Sequence, residues 1–591
     1  MTFCGTQASF IFVVGFLIVS QTIAFHSQAP MQTRTVLGKF KTHGIRLGLA
    51  SPLFMMMSDA TSAALAADPT QIRGSYDQLC EKLKDIERLS GIQSLLGWDE
   101  MTMMPAGGAG ARAEMKAALA GVLHEKQVEP ALGDLLAAFE GVDLGGAGLT
   151  AYEAANVRDA ERAYRKETRK TKEMASREAE LEARAYAGWA AAKAAGDFAA
   201  FAPFLRDLVA LKTEVAGAVS PELGAYDANV DNFERGMTAA RLGEIFAPVR
   251  EGVAALLRDI TARKQSCAAA AAAGEGLAPA LRPVPEALRG GDRWDLKAQE
   301  ALCRELSEAI GFDFGSGRMD VSLHPFTGGP HPTDVRITTR YSTENWKDGV
   351  TGAVHEVGHA LYEQGRNKAH ADLPVARALS MGVHESQSLL WERMVFLSRP
   401  FWDYATPIFH KHFPHTKDCT ADDFYAVMNQ VEPGFIRVDA DEVTYPLHVV
   451  LRYELEKKLF DGSLDIEGVP EAWDAQMKEL LGLEVDGPAR GCLQDIHWSI
   501  GAFGYFPSYS LGAMMAAQIY AAAQRELPGL EDDIRQGQFA GLKTWLNEKV
   551  HQKGSLVASP DELLKEITGA ALDPTIFLDY LRTKYTALYG L

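Results

Sequence analysis

From about Ser75 to the C-terminus, apolar residues recur at i, i+3 and i+4, with Ala, Leu, Glu, Lys and Arg filling the positions between them. That is the period of helices that bury one face. Alternating β-branched runs are few, so an all-α fold is expected, with one domain over 75–591 and no internal repeat. Segment 152–195 sets opposite charges at helical spacing, the mark of solvated faces on long helices, and needs no nucleic-acid contact to explain its lysines. The run 268–273, all alanine, is followed by Gly274, Gly276, Pro279, Pro283 and Pro285 and reads as a surface connection, with helix resuming near Asp295. Short extended segments are predicted at 319–323 and 335–339.

Composition leaves this picture standing, because 591 residues that are 47% hydrophobic and 23% charged can bury a large core. Charge narrows the partners. The formal net charge is -19, and the segment before Asp59 holds only basic groups, so the rest is more acidic still. Such a surface argues against nucleic acid and anionic membranes. Six cysteines without CxxC spacing, the first of them Cys4, suggest a reducing compartment and not a disulfide framework.

The N-terminus adds an address. Residues 10–19 (FIFVVGFLIV) form an apolar run of signal-peptide length, too short to span a bilayer, and Ser20 to Ala24 precede Phe25. Residues 1–24 are therefore expected to be a signal peptide. Residues 25–60, with Arg34, Lys39, Lys41, Arg46 and no acidic group before Asp59, are expected to act as a transit peptide. The pair resembles the bipartite leaders of algae with secondary, red-lineage plastids, in which an aromatic residue follows the signal cleavage site. Plastid import is the implied destination; secretion, or retention in the endomembrane lumen, is the alternative. No membrane association is expected of the mature form.

The chemistry gathers at His355-Glu356-Val357-Gly358-His359. On a helix two histidines four residues apart project from one face and can hold a single ion, while Glu356 beside them can take a proton from water acidified by that ion. A polar helix face with satisfied histidines is the alternative. A third ligand is expected from His384-Glu385-Ser386-Gln387-Ser388, a second helix thirty residues on. Glu385 is the first choice, because a carboxylate among Met381, Val383, Leu389, Leu390 and Trp391 is costly to bury without a partner; His384 is its rival.

These residues resemble the M32 family of metallocarboxypeptidases. Besides the HEVGH and HESQS segments, the resemblance rests on His324-Pro325-Phe326, on Asp334-Val335-Arg336-Ile337-Thr338, on Ile436-Arg437-Val438-Asp439-Ala440-Asp441, and on Gly491 to Trp498 (GCLQDIHW). It extends from Leu95-Leu96-Gly97-Trp98-Asp99 to Phe577-Leu578-Asp579-Tyr580-Leu581. One departure is Arg393, where the family pattern has Asn after Glu392, in the shell around Glu385.

The resemblance implies a saddle-like, mostly helical peptidase with a deep groove and a few short strands near the metal helix. It also implies a homodimer that removes single C-terminal residues with broad preference from peptides carrying a free C-terminus. One divalent ion is implied, zinc by default, with cobalt or manganese fitting the same ligands. A terminal carboxylate calls for a guanidinium. Arg437 is the first choice. Arg336 is second, since Asp334 and Thr338 could instead hold it in a structural network. For the oxyanion, His497 and a tyrosine are expected, Tyr509 by its spacing and Tyr505 as the alternative, with Asp495 and Gln494 placed to orient His497. His324 either shapes the groove or is a satisfied core histidine. Two other readings stay open: an oligopeptidase that cuts internally with the same metal site, and a non-catalytic helical binding protein with a relic site.

Overall fold

Side chains mark where the helices begin. Asp68, Thr150, Thr171, Asp197 and Asp295 each accept a hydrogen bond from a backbone N–H in the first turn of the helix that follows. The computed structural model describes residues 68–267 and 277–591; the expected leader segments, 1–24 and 25–60, and the connection at 268–273 lie outside them. In chain order the helices used below are α1 (Pro69–Thr102), α2 (Ala151–Arg169), α3 (Lys172–Ala195), α4 (Phe198–Val219), α5 (Ala239–Cys267) and α6 (Leu296–Ile310). After a small sheet come α7 (Trp346–Gly365), α8 (Met381–Leu389), α9 (Tyr445–Asp461), α10 (Phe506–Glu526) and α11 (Pro574–Tyr589).

The all-α expectation holds, with differences at the edges of elements. Helix begins at Pro69, ahead of Ser75, because Asp68 caps it. The charged run 152–195 is two helices, since Thr171 takes the N–H of Met174 and starts α3 afresh. Helix resumes at Leu296 with Asp295 as its cap, as the sequence predicts. The expected extended segments appear as β1 (Gly317–Val321) and β3 (Asp334–Thr339), and an unforeseen strand, β2 (Thr327–His331), lies between them in sequence. The order is β1-β3-β2, with Gly317 opposite Val335 in the parallel pair and Thr327 opposite Ile337 in the antiparallel one. β2 carries two glycines and a proline, which hide a strand from propensity.

Two apolar clusters hold the chain. A smaller one joins Tyr76, Leu79 and Leu83 of α1 to Leu132, Leu136 and Val375. The main core surrounds α10, which is buried along nearly its whole length from Phe506 to Ala523. α7 is buried without interruption from Ala353 to Tyr362, and α8 from Gly382 to Leu389. Helices buried all round belong at the centre of a large core.

These three helices meet where side chains are missing. A Cβ on Gly358 of α7 would lie 2.6 Å from the Gln387 carbonyl oxygen and from the Ser388 Cα of α8. On the opposite side of α8, a Cβ on Gly512 of α10 would lie 2.7 Å from the Glu385 Cγ. Backbone atoms cannot swing aside as a flexible side chain can. The variant Gly358→Ala is expected to lose about 1–3 kcal/mol through overpacking and to hold metal less well, because the added methyl pushes α8 from α7. Thermal unfolding and metal content of the purified protein check it, and wild-type values of both would contradict the close approach.

Candidate metal centre and active site

His355 and His359 lie one turn apart on α7, and Glu385 projects toward them from α8. The Glu385 Oε2 stands 3.3 Å from His359 Nε2 and 3.8 Å from His355 Nε2. One donor atom from each of the three lies within 4.8 Å of the others, the arrangement of a metal site. Nitrogen and oxygen ligands bound tetrahedrally at 2.0–2.1 Å stand about 3.3 Å apart, so the donor set fits a divalent ion. Around these imidazoles the carboxylates of Glu356, Glu385 and Glu392 are all buried from solvent or nearly so. Burial pushes Glu385 up, but His359 and His355 outweigh it and hold the carboxylate down at about 2. Such a concentration of negative charge asks for a cation.

Two of the three side chains, His355 and Glu385, are held from behind by hydrogen bonds. His355 Nδ1 meets Glu392 Oε2 at 2.6 Å, and Ser388 donates to Glu385 Oε2 at 3.2 Å. Glu392 reaches His355 because the chain widens into a π-helical turn, Leu390–Phe396, directly after α8. Carboxylates behind metal-ligating histidines fix the tautomer and the ring orientation. Sequence reasoning missed Glu392, although the argument used for Glu385 reaches it: it too is a carboxylate in an apolar run, seven residues further on. At the expected family asparagine, Arg393 is buried, its guanidinium 5.3 Å above the Tyr445 ring centre and its Nε 3.8 Å from Glu392 Oε1.

His384 stands outside the ligand group. Its Nε2 pairs with Glu363 Oε1 at 2.9 Å, and its ring stacks on His359 at 4.5 Å. It buttresses a ligand ring instead of ligating.

Glu356 faces the same space. Burial raises its carboxyl to about 7, against the pull of His355, and the Thr327 hydroxyl of β2 donates to its Oε2 at 2.5 Å and to its carbonyl oxygen at 3.0 Å. Thr327 was not foreseen either, since its strand was not. The strand β2 thus positions the carboxylate next to the metal ligands.

The remaining candidates form a second cluster. His497 Nε2 lies 3.1 Å from the Tyr509 hydroxyl, and Tyr505 packs edge-on against Tyr509 at 5.0 Å. Burial, reinforced by Arg437, lowers His497 to about 3, so it is a neutral imidazole. The Glu385 charge opposes ionisation of Tyr445, Tyr505 and Tyr509 alike, which ties this cluster to the metal centre. Arg437 is only 1% exposed. Its Nε and Nη2 both donate to Asp495 Oδ1, at 3.2 and 2.9 Å, and its Nη1 donates to the Tyr445 hydroxyl at 2.7 Å. Asp495 also accepts from Arg452 Nε at 2.6 Å. Gln494 accepts from the Arg437 N–H and donates to the Phe435 carbonyl. Asp495 and Gln494 therefore build the seat of Arg437, and Asp495 acts on His497 through its charge, as Arg437 and Arg452 do.

Arg336 lies in β3, paired twice with Asp334 at 2.8 Å and stacked 4.6 Å from the Trp98 ring centre. Thr338 has no part in that pairing; it hydrogen-bonds Ser322 at 2.7 Å and the Phe326 N–H at 2.9 Å. His324 sits between β1 and β2, buried and lowered to about 4 chiefly by desolvation.

With this geometry the comparisons with known proteins agree. The family model for Carboxypeptidase Taq (M32) metallopeptidase matches residues 78–585. Thermostable carboxypeptidase 1 of Thermus thermophilus is 38% identical over 87% of this chain and 99% of its own length. Carboxypeptidase 1 of Bacillus subtilis is 34% identical over 86% of this chain and 97% of its own. Among solved structures, the M32 carboxypeptidase of Deinococcus radiodurans aligns with a TM-score of 0.81 at 35% identity, covering 88% of this chain and all of that one. Metallocarboxypeptidase 1 of Trypanosoma cruzi aligns with a TM-score of 0.80 at 38% identity, covering 87% of this chain and 99% of that one. The two histidines and the glutamate that converge between α7 and α8 are thus set in a fold shared along nearly the whole described chain, which belongs to the Carboxypeptidase Taq (M32) metallopeptidase family and is a metal-dependent carboxypeptidase.

Proposed function

We propose that the chain releases single amino acids, with broad preference, from peptides that carry a free C-terminus, using one zinc ion held by His355, His359 and Glu385. The observation that carries this reading is the triad of donor atoms within 4.8 Å, with the buried Glu356 carboxylate beside it. Cobalt and manganese suit the same nitrogen and oxygen donors. When bound, the cation serves as a Lewis acid toward the scissile carbonyl and lowers the pKa of water.

The chain's own groups do the rest. Glu356 accepts the proton of the attacking water at its carboxylate and hands it to the leaving amine. Thr327, bonded to Glu356 Oε2, keeps that carboxylate in register. His497 and Tyr509, a neutral pair 3.1 Å apart, supply donors for the oxyanion, with Tyr505 packed behind them. Arg437 provides the charge that selects a terminal carboxylate, while Arg336 is tied to Asp334 within the sheet. The homodimer is what the resemblance to the family implies, and the leader, basic and without an acidic group before Asp59, supports plastid import. Imaging a fusion of residues 1–60 tests the address, and a signal confined to the secretory route would refute it.

An oligopeptidase would share the metal site but would not need a free carboxylate. Incubating the metal-loaded protein with a peptide and with its C-terminal amide separates the two. Mass spectrometry is expected to show stepwise C-terminal truncation of the acid and an intact amide; internal fragments from both would establish the oligopeptidase.

Metal binding and turnover separate in two variants. Glu356→Gln is expected to keep one zinc per chain and lose activity, because only the proton acceptor is gone. Glu392→Ala is expected to weaken zinc about 10–100-fold, because His355 loses the group that fixes its ring. Zinc titration with a competing chelator, alongside peptide hydrolysis, reads both, and an active Glu356→Gln enzyme would remove Glu356 from the mechanism.

A further inference from the structure

A free carboxylate must meet a donor that can face it. Of the two edges of the Arg437 guanidinium that can form a two-pronged pair, the Nε–Nη2 edge is closed by Asp495 at 3.2 and 2.9 Å. At the other edge, Nη1 donates to the Tyr445 hydroxyl at 2.7 Å. A phenol has one proton to give and can accept as well. Tyr445 accepts from the guanidinium, so its own O–H remains to be donated, and no acceptor for it occurs among the described residues. Tyr445 opens α9, is 5% exposed, and stands edge-on to the Tyr509 ring at 6.1 Å. The carbon centres of two guanidiniums, Arg393 and Arg437, lie 5.3 and 5.7 Å from its ring centre.

Resting on the carboxypeptidase reading above, we infer that the Tyr445 hydroxyl is the group that touches the substrate's terminal carboxylate, with Arg437 charging it from behind. Arg437 then acts through Tyr445 as a positioning residue. A hydrogen bond from a phenol that itself accepts from a cation is strengthened in the low-dielectric interior, because the chain of donors is polarised in one direction. The arginine at 393, where the family pattern has asparagine, adds a second cation beside the ring, so the donor is stronger in this chain than the pattern alone provides.

Steady-state kinetics of Tyr445→Phe in the zinc-loaded full chain, on a blocked peptide with a free C-terminus, test the inference. The change removes one oxygen and keeps the ring between its arginines. KM is expected to rise at least ~10-fold, with kcat and zinc content close to wild type, as for loss of a hydrogen bond to a charged group made equally in ground and transition states. Because KM does not depend on how much enzyme is active, partial misfolding would not mask the effect. An unchanged KM would overturn the inference, as would a fall in kcat alone, which would make Tyr445 an oxyanion donor. Loss of zinc would also overturn it, by making Tyr445 a support of Glu385. Failure of the wild-type protein to release C-terminal residues would instead defeat the carboxypeptidase reading itself.

Discussion

The metal centre depends on how closely three buried helices can approach one another. Without a side chain at Gly358, the α8 backbone comes against α7; without one at Gly512, α10 closes on the stem of Glu385 from the other side. Glu385 is thereby pressed into one position, 3.3 Å from His359, in a core where packing leaves little room to relax. The same closeness sets a second demand. A helix buried on all sides cannot leave polar groups unsatisfied, yet α8 reads His384-Glu385-Ser386-Gln387-Ser388. Its polar groups answer one another: Ser388 donates to Glu385, Gln387 to Ser386, His551 pairs with Gln387, and His384 with Glu363. A run that looks like a solvated surface is instead a largely paired interior network, in which His384 Nδ1 and His551 Nδ1 are the ring atoms without a hydrogen-bond partner among the described residues.

What could be read from the chain follows from the range of each interaction. His355, Glu356 and His359 were legible because helical periodicity alone puts them on one face. Glu385 was legible because a carboxylate among apolar neighbours needs a partner. Thr327 was not, since it meets Glu356 only through a strand whose glycines and proline conceal it. Glu392 depends on a π-helical turn that re-aims the chain by a fraction of a turn, a geometry no periodic pattern announces. Residue chemistry alone does not give direction. His384 has the right atoms for a ligand, but its Nε2 is committed to Glu363. Arg437 has the right charge for a carboxylate, but Asp495 closes its fork.

Electrostatics then divides the site into two poles. On one side Glu356, Glu385 and Glu392 crowd two imidazoles, an excess of negative charge that a divalent cation offsets. On the other, Asp495 is shared between Arg437 and Arg452, both buried. Burial lowers Arg452 only to about 10, so it remains protonated at neutral pH, and the two arginines hold the Asp495 carboxylate far below its usual range. Two positive charges against one negative leave this triad with a buried surplus of one. Glu456, whose carboxyl burial raises to about 7, is a further acid near Arg452 and offsets that surplus in part; what is left of a buried charge is costly and a neutral ligand does not relieve it. A terminal carboxylate relieves it and an amide does not. Selectivity for free C-termini can therefore arise from a charge the protein leaves unbalanced, with Tyr445 as the contact that transmits it. The surplus need not touch the substrate to discriminate, since in a low-dielectric interior its field reaches the carboxylate through the intervening hydroxyl.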